Sequence, residues 1–212
     1  GCRGNTVTNS FTYTLDTVAP TIAIDGTLMG DNRINSTEVS SVIASGTVGS
    51  VASDVGDTVT VTYSDGTHSA STTATISSSY TWQTSGVNLS TFNQGNVTAS
   101  ASVTDVAGNV SSLATKTLVI DTVAPATPTL TLQTDTGLST TDSITNNGLV
   151  NITGLEGGDK WQYSINGSTY NAGATLGSTV TTATMAASLF SQGSNTISIL
   201  ETDVAGNTVT NS

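Results

Sequence analysis

Along most of the chain apolar and polar residues alternate with a period of two, in short runs broken by Gly, Asn, Asp and Ser. The clearest run lies inside TDVAGNVSSLATKTLVIDTVAP, residues 104–125. Leu113, Thr115, Thr117 and Val119 share one face of a strand, and Ala114, Lys116, Leu118 and Ile120 share the other. Before it, 105–109 is turn chemistry: Asp bonds its own backbone, Gly takes positive φ and Asn tolerates the left-handed region. After it, Pro125 holds Ala124 extended. The same alternation predicts strands at 11–15, 21–24, 58–63, 68–76, 81–89, 96–104, 129–133, 149–153, 160–165, 169–170, 179–185 and 195–201. Ser64-Asp65-Gly66-Thr67 and Asn166-Gly167 read as hairpin turns. One helical turn is expected at 36–43, with Ser36 as cap and Glu38 in its first turn. Trp82, Phe92, Trp161 and Phe190 are the expected buried aromatics. The fold class is all-β.

Two phrases recur. TDVAGN returns at 202–207, so that Asp105 reappears as Asp203, 98 positions on. DTVAP at 16–20 returns at 121–125, so that Asp16 reappears as Asp121, 105 positions on. A period near 100 is the size of one β-sandwich domain. GNTVTNS at 4–10 is identical to 206–212, so the chain reads as a two-domain segment of a longer tandem array. The division expected is a last-strand remnant at 1–17, a first domain at 18–122 and a second at 123–212 whose final strand is incomplete.

Charge narrows the partners. The formal net charge is −11, and Arg3, Arg33, Lys116 and Lys160 are the only basic residues besides one histidine. No basic patch for nucleic acid or an anionic membrane can be assembled from them, and no run of apolar residues is long enough for a membrane-spanning helix. The single cysteine, Cys2, has no pairing partner, so no disulfide staples these domains. Gly1-Cys2-Arg3 departs from the repeat and reads as a cloning remnant or a boundary irregularity. His68 stands in a Thr/Ser-rich strand beside a turn, without the surroundings of a catalytic base. Serine-hydrolase, zinc-protease and phosphate-loop motifs are all missing from the sequence. An enzyme is not expected.

The acids gather at turns and domain ends. Asp25, Asp31, Asn35 and Glu38 follow the first DTVAP; Asp135 and Asp142 follow the second; Asp105, Asp121 and Asp203 mark the strand ends. Hard oxygen ligands without thiols or imidazoles select Ca²⁺ over transition metals. Clustered carboxylates repel one another unless a cation joins them.

The ordered set IDGTLMGDNRINSTEV, GDTVTVTYSDG, VTASASVTDVAGN and LVIDTVAP, followed by DTGLSTTDSITNNGLVNITGLEGGDKWQYSING and ETDVAGN, resembles the bacterial Ig-like extender repeats of large RTX-type, biofilm-associated adhesins exported by type I secretion. The resemblance covers nearly the whole chain. It implies two tandem Ig-like, fibronectin-III-like antiparallel β-sandwiches in an elongated rod, on the bacterial cell surface. It further implies structural Ca²⁺ at the junctions, with the loop acids carried onto Asp31, Glu38, Asp135 and Asp142 and the strand-end acids onto Asp105 and Asp203. The partners implied are neighbouring repeats of the same chain. An alternative is a binding module that grips a glycan or a host surface protein, with Trp161 and Tyr163 as candidates. A further expectation is head-to-tail strand addition, in which Phe11, Tyr13 and Leu15 of one molecule fill an open edge of another's second domain.

Overall fold

A computed structural model describes residues 3–49, 54–174, 176–177 and 179–211. Gly1-Cys2, and so the irregular N-terminal triplet apart from Arg3, lies outside the described residues. Two β-sandwiches of Ig-like, fibronectin-III-like build follow one another along the chain, antiparallel throughout except where 33–34 pairs parallel with 119–120. The first contains β1 (Ile22–Ile24), β2 (Arg33–Ile34), β3 (Ser45–Val48), β4 (Thr58–Ser64), β5 (Ser69–Thr75), β6 (Thr81–Gln83), β7 (Gly95–Val103) and β8 (Ala114–Ile120). Its sheets run β1-β3-β6 and β2-β8-β7-β4-β5. The second contains β9 (Thr129–Leu132), β10 (Val150–Thr153), β11 (Lys160–Ile165), β12 (Asn171–Ala172), β13 (Thr182–Met185), β14 (Ile197–Thr202) and β15 (Thr208–Asn211). Its sheets run β13-β10-β9 and β12-β11-β14-β15.

The period-two pattern decides which side chains face inward. In β7 Val97, Ala99, Ala101 and Val103 are buried, and β4 opposes them with Val59, Val61 and Tyr63. In β8 the inward residues are Leu118 and Ile120, as the alternation requires. Trp82 caps this core from the other sheet. Its indole lies on Gly46, where an added Cβ would stand 2.6 Å from the ring and 2.0 Å from the Ala23 carbonyl. Trp161 of the second sandwich lies on Gly173 in the same way, at 2.3 Å. The two cores are unequal. Among the described residues the core cluster of the first holds twenty buried apolar side chains and that of the second seven, so the second has less hydrophobic burial to stabilise it.

Five local expectations change, the strand expected at 11–15 among them. Residues 36–43 form turns and no helix; the cap is Asn35, whose Oδ1 accepts from Thr37 N at 2.9 Å and Glu38 N at 3.1 Å, while Glu38 Oε2 accepts from Asn35 N. The strand expected at 81–89 stops at Gln83; pairing lapses at Ser85-Gly86 and resumes as a single Val42–Val87 bridge. The short strand after Asn166-Gly167 is Asn171–Ala172, not 169–170, because Ser164 Oγ and Ser168 hold the intervening turn closed. Phe190 is only partly buried. Residues 3–21 carry no strand pairing, and Phe11, Tyr13 and Leu15 are exposed there with the first two rings stacked at 5.9 Å.

Candidate functional site

The recurring TDVAGN phrase builds the same turn twice. Asp105 Oδ1 accepts from Ala107 N and Asn109 N, and Asp105 Oδ2 accepts from Asn109 Nδ2 at 2.9 Å. Asp203 Oδ1 accepts from Ala205 N and Asn207 N, and its Oδ2 accepts from Asn207 Nδ2 at 2.8 Å. In each turn the asparagine reaches further, onto the linker before its own sandwich. Asn109 Nδ2 donates to the Asp16 carbonyl at 3.2 Å, and Asn207 Nδ2 to the Asp121 carbonyl at 2.8 Å. A phrase that looks like turn chemistry is therefore also a clamp on the linker.

At the second linker the clamp reaches the first sandwich. Ser36 N donates to Asn207 Oδ1 at 2.9 Å, and Asn35 Nδ2 donates to the Ala205 carbonyl at 3.1 Å. Asp121 N is held by the Ile34 carbonyl at 2.9 Å, which fixes the linker to the end of β2. Asn207 is 4% exposed, and its amide touches the linker, its own turn and the preceding sandwich together. Gly206 completes the fit. Its φ is +96°, and an added Cβ would meet Asn35 Nδ2 at 3.1 Å.

Around each clamp lie carboxylates. In the first sandwich burial raises Asp57, and Asp54 and Asp105 raise it further. In the second, burial pushes Asp159 up to about 6, with Glu156, Asp203 and Asp121 adding to it. Glu201 is also raised, by burial first and by Asp159 and Glu156, against a hydrogen bond from Glu156 N to Oε1 at 2.6 Å that favours the ionised form. Asp159 is 4% exposed and Glu201 0%, yet Asp159 Oδ2 and Glu201 Oε2 are buried oxygens without a hydrogen-bond partner among the described residues. Such oxygens are costly unless something positive meets them. Asp105 goes the other way: Asn109 Nδ2 and backbone N–H donors hold it below the usual carboxylate range. Among the described residues no three acids are already gathered at metal-binding spacing, so a cation would have to draw this set in.

The acids picked from the sequence fall into two groups. Asp105 and Asp203 lie in the turns after β7 and β14, and Asp121 begins the second linker. Asp25 accepts from Ser45 Oγ at 2.5 Å, and Asp31 from Arg33 N at 2.8 Å. Asn35 and Glu38 bond each other's backbone N–H, and Asn35 also joins the junction. Asp135 accepts from Ser143 N and Asp142 from Ile144 N, which pins loop 134–147. The sequence reading missed Asp54, Asp57, Glu156, Asp159 and Glu201. Their signal is a short phrase before a strand, Asp54-Val-Gly-Asp57 and Glu156-Gly-Gly-Asp159, each 102 positions apart, and a lone acid on an inward strand position.

The other candidate chemistry is structural. His68 Nδ1 lies 2.9 Å from Asp65 Oδ2, and its ring lies 5.7 Å from that of Phe92. Asp65 also accepts from Thr67 N, His68 N and Asn93 N, which hold it well below the usual carboxylate range and tie the hairpin to the next loop. Trp161 is 6% exposed, so its face serves the core and presents no platform to a sugar.

No family model matches the chain, and no curated protein matches it. Solved structures do. A Ca²⁺-stabilised adhesin that helps an Antarctic bacterium reach out and bind ice is 23% identical, with 92% of this chain and 48% of that chain covered and a TM-score of 0.51. The tetra-tandem repeat in the extending region of a large adhesion protein is 23% identical, covering 93% and 49%, with a TM-score of 0.40. A bacterial immunoglobulin-like domain from the M. primoryensis ice-binding adhesin is 22% identical, covering 50% and 100%, with a TM-score of 0.34. The first of these shares the tandem fold described above. The chain spans about half the length of the first two structures. Among the described residues no helix is long and apolar enough to cross a membrane.

Proposed function

We propose that the chain is an extender segment of a secreted bacterial cell-surface adhesin. Its sandwiches, 18–122 and 123–212, stand end to end in a stalk that supports cell adhesion or biofilm formation, and residues 1–17 belong to the repeat before them. The role is structural and not catalytic. The observation that carries the reading is the Asn207 clamp, which joins one sandwich to the linker and to the sandwich before it through a phrase that recurs in each repeat. A contact written into the repeat itself is what a rod of many copies requires. The neighbour of similar fold, a Ca²⁺-stabilised ice-binding adhesin, points the same way.

Calcium is the proposed stiffener. The residues that would hold it at the junction are Asp121, Glu156, Asp159 and Asp203, all oxygen donors of the kind Ca²⁺ takes. Bound there, it supplies charge neutralisation between linker and sandwich. Asp54, Asp57 and Asp105 form the corresponding set of the first repeat. Asp25, Asp31, Asn35, Glu38, Asp135 and Asp142 stay as proposed peripheral ligands in the loops. The partners are neighbouring repeats of the same chain, and the exposed Phe11, Tyr13 and Leu15 are the strand we assign to head-to-tail addition between molecules. Small-angle scattering and thermal unfolding, with CaCl₂ and with EGTA, test the calcium reading. The melting midpoint rises and the maximum dimension becomes better defined with calcium; identical curves in both buffers would falsify it.

A further inference from the structure

The two acid sets differ at one inward-facing position. Counting from the shared turn, Glu201 stands two residues before Asp203, and its counterpart two residues before Asp105 is Val103. Both are core positions: Val103 is 1% exposed in β7 and Glu201 0% exposed in β14. Apart from this exchange the sets correspond: Asp54 with Glu156, Asp57 with Asp159, Asp105 with Asp203 and Asp16 with Asp121. A carboxylate in place of valine loses core packing in the sandwich that already has the smaller core. One oxygen is used, by Glu156 N at 2.6 Å; the other, Oε2, has no partner among the described residues. Asp159 and Glu156 lie close enough for their charges to raise it. A carboxylate entering from inside the sandwich therefore backs the very pair that faces the linker.

Resting on the calcium reading above, we propose that Glu201 is an extra ligand for a divalent cation, reaching the junction site of the second repeat from within the core, and that it makes the two junctions unequal. The second junction then binds Ca²⁺ more tightly than the first, and without Ca²⁺ it is the weaker of the two. Affinity follows the number of charged oxygens offered, and an unneutralised acid in a core opposes folding. A rod built from such repeats stiffens in steps as calcium rises, with the Glu-bearing junctions ordering first.

The test uses the full chain and its Glu201→Val and Glu201→Gln variants. Valine copies the first repeat, and glutamine keeps the shape and the acceptor for Glu156 N without the charge. Melting is followed in EGTA and in CaCl₂, and calcium binding by calorimetry. In EGTA both variants should melt higher than the parent. In CaCl₂ their calcium-induced shift should be smaller, and the tightest class of sites should weaken by about tenfold or more. Three results overturn the proposal in separable ways. A parent that responds to calcium, with variants that respond equally, removes Glu201 from the site and leaves the calcium reading standing. A parent with no response to calcium removes both. Variants that melt lower in EGTA and CaCl₂ by the same amount would make Glu201 a structural acid only.

Discussion

Asn207→Ala isolates the clamp. The substitution removes the donor to the Asp121 carbonyl, the donor to Asp203 Oδ2 and the acceptor for Ser36 N. A neutral hydrogen bond is worth about 1 kcal/mol net and one to a charged group about 2. The Asp203 bond belongs to the turn, so about 2 kcal/mol should appear as lost stability of the second sandwich. The other two bonds span the junction. Their loss is partly offset because the Ser36 N–H and the Asp121 carbonyl can take water once the junction opens, which leaves about 1–2 kcal/mol of coupling between the sandwiches. That is about a tenfold rise in the population of bent or open arrangements. Urea unfolding reads the first quantity and small-angle scattering in EGTA the second. Asn109→Ala is the control. It removes the same turn bond, to Asp105, and the bond to Asp16, but no contact between the two sandwiches. An Asn207→Ala chain that scatters like the parent, or an Asn109→Ala chain that broadens the profile equally, would refute the clamp.

Two other outcomes follow from packing and charge. Gly46→Ala and Gly173→Ala each force a methyl into a tryptophan, and Gly46→Ala also into the Ala23 carbonyl; each should cost about 2–3 kcal/mol, with Gly46→Ala the worse, as read by urea midpoints. In EGTA, stability should fall as pH rises from about 5 to about 7. The folded-state Asp159 sits at about 6 against an ordinary 3.8, so between these two values the native chain binds more protons than the unfolded one; the whole rise costs up to about 3 kcal/mol, of which about 1 kcal/mol falls between about pH 5 and about pH 7. The lowered acids Asp65 and Asp105 act oppositely, but only at lower pH, where their stabilising contribution is lost as they protonate. Asp159→Asn should flatten the slope; a chelated parent more stable at about pH 7 than at about pH 5 would contradict the charge account.

The strands were legible because each is specified locally. Alternation in Leu118 and Ile120, or in Val59, Val61 and Tyr63, needs nothing beyond neighbouring residues. The turns of the TDVAGN phrase were legible for the same reason. The acid sets were harder. Asp31 and Glu38, or Asp135 and Asp142, lie near each other along the chain, and that nearness made them candidates; in the fold each accepts from a nearby backbone N–H, and Asp135 Oδ1 is left buried without a partner among the described residues. Asp121, Glu156, Asp159, Glu201 and Asp203 span the sequence of six strands, β9 to β14, and come into one neighbourhood only when β11 pairs with β14. Their trace in the sequence was two short phrases that also read as ordinary turns.

The same double use explains why the repeat keeps its phrase whole. Asn207 has two N–H groups and one carbonyl oxygen to offer, and the turn alone occupies part of one side. The rest is available because Gly206 turns the backbone through positive φ and brings the amide against Asn35 and Ser36. Aspartate at 207 would keep the shape but lose both donors, and would add a charge beside Asp203 and Asp121. Serine would be too short to span turn and linker together. The phrase therefore sets the angle between sandwiches as well as the end of a strand. In the proposed rod this turn would set the angle between sandwiches, and calcium at the acids beside it would act on a geometry that the asparagine has already set.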